Sequence, residues 1–271
     1  MAINPNTARN AMHTAVCMMT GAGKGIALNA LGLIPDKYPV VIFDPHGEHN
    51  KIAGRRVYQY KTQRNFAKTF IKAWNSGRPF ALGYCPDTKG RTEKESKQKL
   101  QNAAEWFAKL VWAAGDGNRV LYSVFEEYGE YCESTADDNT TIGKIWTGGR
   151  KFGLRGIAVF QRSATISKTI WGNSPRKVIG AQGYENDIAR CVDAVGCSRA
   201  DMVELAANNK ALQMYHEGLD EMVRTKVHYL FSESVGVHEK VAAYVKPAAN
   251  LRKKWNAEQR RLDKLGVYKL V

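Results

Sequence analysis

Residues 13–33 constrain the fold more than any other stretch. A β-prone run from His13 to Met19 passes through Thr20-Gly21-Ala22-Gly23-Lys24-Gly25 into a helix-prone run from Ile26 to Leu33. A strand, a glycine loop and a helix in that order cradle phosphate groups. The small residues let backbone N–H groups converge, the helix presents its positive end, and a lysine there reaches the β and γ oxygens. The expected ligand is a nucleoside triphosphate, held by Thr20, Gly21, Ala22, Gly23, Lys24, Gly25 and Ile26. Two positions depart from the usual loop: Met18 stands where a first glycine is usual, and Gly25 where a magnesium-ligating Ser or Thr would follow the lysine. Taken alone, Gly21 and Gly23 would serve equally well in a tight strand-to-helix turn.

Three further stretches follow in order. Val40-Val41-Ile42-Phe43 is apolar throughout, as a strand buried on both faces is, and it ends in Asp44-Pro45-His46-Gly47-Glu48. Polar residues at a strand end of an open parallel sheet sit where ligands bind, although an Asp-Pro turn with solvated neighbours reads the same way. Residues 120–125 form a second apolar strand ending in Glu126 and Glu127. Adjacent strand residues point oppositely, so the two acids divide the work: Glu126 for magnesium and Glu127 for the attacking water. The length of Glu126 could partly fill the space left by the missing hydroxyl at Gly25. Read alone, the acids are also consistent with an ordinary surface strand end. The third stretch, residues 148–163, reads as a helix end stopped by Gly153 and a buried strand closing in Gln161 and Arg162. Gln161 can meet a γ-phosphate or water there, and Arg150 is placed to reach an adjacent subunit.

Together these segments resemble the FtsK–HerA superfamily of ring-forming, DNA-translocating ATPases. Thr20 to Lys24 stand as Walker A, Asp44-Pro45-His46-Gly47-Glu48 as the HerA-like strand end, and Glu126-Glu127-Tyr128-Gly129-Glu130 in place of the Walker B ending. Pairing the last segment with the family pattern puts Arg150 on the arginine-finger position, with Arg155 and Arg162 as competitors, and Gln161 on the polar sensor position. The resemblance covers residues 13–182. It implies a RecA-like P-loop α/β core with a mainly parallel sheet flanked by helices. It also implies ATP and Mg2+ as cofactors and a homo-oligomeric ring, hexameric in the family, around double-stranded DNA. The chain looks most like the genome-packaging ATPases of tailless icosahedral viruses, which implies capsid or portal-vertex partners and a place in the host cytoplasm or at a virion vertex. A HerA-like helicase or conjugative motor is the alternative within the family. The degenerate positions Met18, Gly25 and Glu126 leave open a non-catalytic nucleotide-binding structural protein.

Composition agrees with this. The 271 residues carry 40 Lys and Arg against 26 Asp and Glu, a net charge of +14, and phosphate backbones attract such a surplus whatever their sequence. The five cysteines form no CxxC or His/Cys metal pattern and read as free thiols in a reducing compartment. No stretch approaches the ~20 apolar residues that cross a bilayer.

Between the motifs a βαβα alternation argues for a parallel sheet covered on both faces. Residues 94–114 read as a long helix with Leu100, Ala103, Ala104, Phe107, Leu110 and Val111 on its core side, and the five tryptophans from Trp74 to Trp171 as packing residues. Residues 87–99 read either as a pore-facing DNA loop or as a solvated helix start. Residues 212–216 and 225–231 are expected to form a hairpin. The division expected is an ATPase core over residues 1–234 and a basic helical C-terminal arm over 235–271, where Arg252, Lys253, Lys254, Arg260, Arg261 and Lys264 accompany Trp255.

Overall fold

The computed structural model describes residues 2–211, 213–215, 222–224, 226–234 and 236–244. The first strand, β1 (Thr14–Cys17), passes through the glycine loop into α1 (Lys24–Ala30), and β2 (Val40–Phe43) follows. A small ribbon of β3 (Lys51–Ile52) and β4 (Arg55–Arg56) leads to β5 (Tyr58–Tyr60) and α2 (Gln63–Asn75). Next come β6 (Ala81–Tyr84), the long α3 (Glu93–Ala114) and β7 (Leu121–Phe125), then α4 (Tyr128–Tyr131) and α5 (Thr141–Gly148). After them run β8 (Leu154–Phe160), α6 (Lys168–Gly172), β9 (Arg176–Ile179), α7 (Glu185–Val195) and α8 (Arg199–Ala211). The last elements are β10 (Gln213–Tyr215), β11 (Met222–Arg224), β12 (Lys226–Ser234) and β13 (Val237–Tyr244).

Among the described residues nine strands make one sheet in the order β13-β12-β9-β1-β8-β7-β2-β6-β5. From β9 to β5 the pairing is parallel, while β12 runs antiparallel to both β9 and β13. The central strands are buried along their whole length because helices cover both faces, which is why they read as unbroken apolar runs. Alternate residues of β1 and the residue after it feed two cores: Ala15 and Cys17 pack with α3 residues such as Phe107, whereas Val16 and Met18 pack with Ala27 and Leu28 of α1. The helix α3 opens with Thr92, whose hydroxyl accepts from the Glu95 N–H, and with acids in its first turn. Its expected core stripe is in place, five residues buried and Leu110 packed beside them. Trp146 and Trp171 are buried, and Trp74, Trp106 and Trp112 pack against the same core.

Two expectations about the C-terminal third are corrected. The segment beginning at Gln213 pairs with Met222–Arg224, not with residues 225–231. Lys226–Ser234 joins the main sheet instead, because Val227, Tyr229 and Leu230 find apolar cover there and Leu230 sits opposite Ile179. The core also extends past residue 234: Gly236 turns with φ 82°, and Val237–Tyr244 returns as the edge strand where a basic helical arm was expected. Residues 245–271, which hold the rest of that arm, lie outside the described residues. Among the described residues no helix is long and apolar enough to cross a membrane.

Candidate active site

The parallel strands all point their C-terminal ends toward one edge of the sheet, and a cleft of about 640 Å³ opens there. It is lined by the glycine loop, by Glu126 and Glu127 after β7, by Gln161 after β8, and by residues 48–51 after β2. Four chain segments distant in sequence therefore meet at one place because their strands are neighbours in the order β1-β8-β7-β2.

The loop needs its glycines. Gly21 and Gly23 have φ of 74° and 95°, in the region that side chains disfavour. A Cβ on Gly23 would lie 2.9 Å from the Tyr229 hydroxyl, which donates to the Gly23 carbonyl at 3.0 Å. The antiparallel addition to the sheet thus braces the loop from behind. Met18, the residue in place of the usual first glycine, is fully buried in the core. At Gly25 an added Cβ would meet nothing within 4 Å.

Four of the expected side chains form a chain of contacts across the loop. Lys24 Nζ lies 3.4 Å from Glu127 Oε1, Gln161 Nε2 donates to Glu127 Oε2 at 3.2 Å, and Thr20 Oγ1 donates to Gln161 Oε1 at 2.7 Å. Glu127 occupies a left-handed conformation, φ 47° and ψ 43°, between β7 and α4. For a non-glycine residue that conformation is strained by about 1–2 kcal/mol. It turns the carboxylate back over the loop.

Glu126 faces a different partner, as expected of adjacent strand residues. Its Oε1 lies 2.6 Å from His49 Nε2, and both side chains are buried. Sequence reading stopped at Glu48 and missed His49. Its local signal was a polar residue just past the β2 motif, but its pairing with Glu126 depends on β2 and β7 being neighbours. Asp44 proves to be a scaffold for this histidine: it is buried and accepts from the Glu48 and His49 N–H groups at 3.1 and 3.0 Å and from Gln59 Nε2 at 2.5 Å. Burial opposes protonation of His49, but the hydrogen bond and charge of Glu126, aided by Asp44 and Glu48, outweigh it and raise its pKa above 6.5. Glu48 lines the cleft, whereas His46 is exposed and pairs loosely with Glu130 at 3.4 Å.

The three arginines separate clearly. Arg150 sits in a 3₁₀ turn before β8, where its Nη1 donates to the carbonyls of Thr7 and Arg9. That is the far end of the seven-residue β8 from Gln161, roughly 23 Å away at ~3.3 Å per residue. Arg150 therefore takes no part in its own subunit's cleft. Arg155 is also remote, donating to the Tyr122 hydroxyl at 2.8 Å and lying over the Tyr38 ring. Arg162 follows Gln161 at the cleft's edge, paired with buried Asp187 at 3.1 Å and stacked over Tyr184.

Residues 8–178, more than half of the chain, match the family model of the HerA helicase central domain. The chain belongs to that family. Its HerA-type fold is similar to that of the bacterial conjugative coupling protein TrwB, at a TM-score of 0.51 with 13% identity, covering 88% of this chain and 87% of that one. The genome packaging NTPase B204 from Sulfolobus turreted icosahedral virus 2, in complex with sulfate, gives a TM-score of 0.48 with 14% identity, covering 91% and 98%. Its complex with ATP-gammaS gives 0.48 and 14%, covering 86% and 96%. No curated protein matches the chain. The HerA-family core has the P-loop α/β architecture expected from the sequence, with the glycine loop at the C-terminal edge of its parallel strands.

Proposed function

We propose that this chain is an ATP-driven motor that moves along double-stranded DNA as a homo-oligomeric ring, used to package a viral genome into a preformed capsid. The observation that carries the ATPase reading is the Lys24–Glu127–Gln161–Thr20 chain of contacts across the loop. The genome-packaging use rests on the sequence resemblance and on the +14 charge.

In this reading a triphosphate enters the cleft, the loop N–H groups take its phosphate oxygens, and Lys24 turns from Glu127 to the β and γ oxygens. Glu127, released from its cation, accepts a proton from water as that water attacks the γ-phosphorus and ADP departs. Gln161 holds the water and the γ-phosphate in line. The donor set fits magnesium carried in with the nucleotide, since that ion takes one or two carboxylates with phosphates and water. Glu126 would hold it through Oε2, because Oε1 is engaged by His49 and Gly25 offers no hydroxyl. The ion supplies neutralisation of the phosphate charge. His49 keeps Glu126 oriented, and Arg150, remote from its own cleft, serves the nucleotide of the next subunit.

The test is ATP hydrolysis by the purified chain with and without duplex DNA, beside a strand-displacement measurement. Acceleration by intact duplex without strand separation is expected. Strand separation would favour a helicase, and absence of hydrolysis a non-catalytic protein.

A further inference from the structure

The edge of the sheet opposite the nucleotide cleft is basic, and it follows the strand order. Arg78 precedes β6, Lys37 precedes β2, Arg119 precedes β7 and Arg9 precedes β1. Around Tyr38 and Trp74 these four cations line one cleft of about 310 Å³. The Arg9 side chain reaches the loop before β7, so the four gather at the starts of β6, β2 and β7, over two strand spacings or roughly 10 Å at ~4.8 Å each.

Several are held by neutral groups. Arg9 donates to the carbonyls of Gly117 and Asn118 at 2.9 and 2.6 Å, and Arg119 donates to the Trp74 carbonyl at 2.7 Å while stacking 3.7 Å over its ring. Among the described residues, Arg9, Lys37 and Arg78 pair with no carboxylate, and Asp116 is engaged by Arg119. Asp36, the other nearby acid, faces Arg55. Carbonyl-held guanidinium groups keep their charge and part of their donor fork for an outside anion, with little side-chain freedom left to lose.

The geometry points to a binding site for the phosphodiester backbone of duplex DNA in this cleft, along the N-terminal edge of β6, β2 and β7. The site deepens the motor reading and rests on it. About 10 Å is the axial length of roughly three base pairs at ~3.4 Å each, enough for two to three phosphates on one strand. Lying on the edge opposite the loop, the site leaves the nucleotide cleft free, so both ligands bind at once. Backbone contacts of this kind carry no base preference.

The experiment compares the parent with the double variant Lys37→Glu, Arg78→Glu, using a labelled duplex of random sequence across a salt series. Both residues are exposed, and among the described residues their side chains make no hydrogen bond, so the fold and DNA-free ATP turnover should persist. The expected result is a fall in affinity of at least about tenfold near 100 mM salt and a salt slope shallower by about 2. Lys37→Arg with Arg78→Lys should restore both. Equal affinity and slope in parent and charge-reversed variant would overturn the site while leaving the motor reading intact. A parent that does not bind duplex would overturn both. Polyglutamate binding the parent more tightly than duplex, and lost in the variant, would overturn the site by making its partner an acidic protein.

Discussion

His49 Nε2 lies 2.6 Å from Glu126 Oε1, with the two side chains buried against each other beside the nucleotide cleft. The folded-state pKa of His49 is raised above 6.5, so the stability contributed by its charge is fully present below pH 6.5 and is lost as pH rises through the higher folded value. Chemical denaturation between pH 6 and 9 should therefore show stability declining across that window in the parent and a flatter profile in His49→Gln. His49→Ala, which leaves Glu126 buried without its partner, should cost about 1–3 kcal/mol. A parent profile identical to that of His49→Gln would show that the pair is uncharged.

Glu127 and Lys24 face each other across the loop at 3.4 Å, yet their loss should be felt differently. Glu127→Gln should keep ATP binding and lose about 10²–10⁴-fold in turnover, the range of a general base. Lys24→Ala should weaken both binding and turnover. Equal turnover in Glu127→Gln and the parent would remove Glu127 from the mechanism.

The glycine loop, the apolar strands and the carboxylate pair were legible because each carries its own local signal. Thr20, Lys24, Glu127 and Gln161 meet as their motifs suggested. The His49–Glu126 pair was not legible, since no local pattern says that β2 and β7 are neighbours. Nor was the hairpin of β12 and β13: the basic residues beyond 250 drew the whole tail into one helical reading, although Gly236 and the valines at 237 and 241 spell a turn and a strand. Arg150 shows the same limit. Its place before Gly153 is read from local sequence, but only the direction of β8 reveals that it lies away from its own cleft.

At Gly25 the space for a side chain is open. Gly25→Ser should fold normally and supply the hydroxyl that loops of this kind usually offer magnesium. The magnesium concentration giving half-maximal turnover should then fall severalfold. An unchanged requirement would mean that Glu126 alone already satisfies the ion.

If Arg150 takes part in catalysis, its distance from its own cleft requires it to act on a neighbour's nucleotide. Mixing inactive Arg150→Ala with inactive Lys24→Ala should restore part of the turnover, because some interfaces regain an intact lysine and an intact arginine; such a cation contributes about 10³–10⁵ in rate in comparable NTPases. If mixed rings form and stay inactive, Arg162, beside Gln161 at the cleft's edge, becomes the residue to substitute next.

The most direct test of the central claim is steady-state ATP hydrolysis by the purified chain, with and without duplex DNA of random sequence, across a salt series. The account predicts turnover that rises with DNA, an apparent DNA affinity that drops steeply as salt increases, and loss of the stimulated rate in Glu127→Gln. Turnover indifferent to DNA, or unaffected by Glu127→Gln, would contradict it.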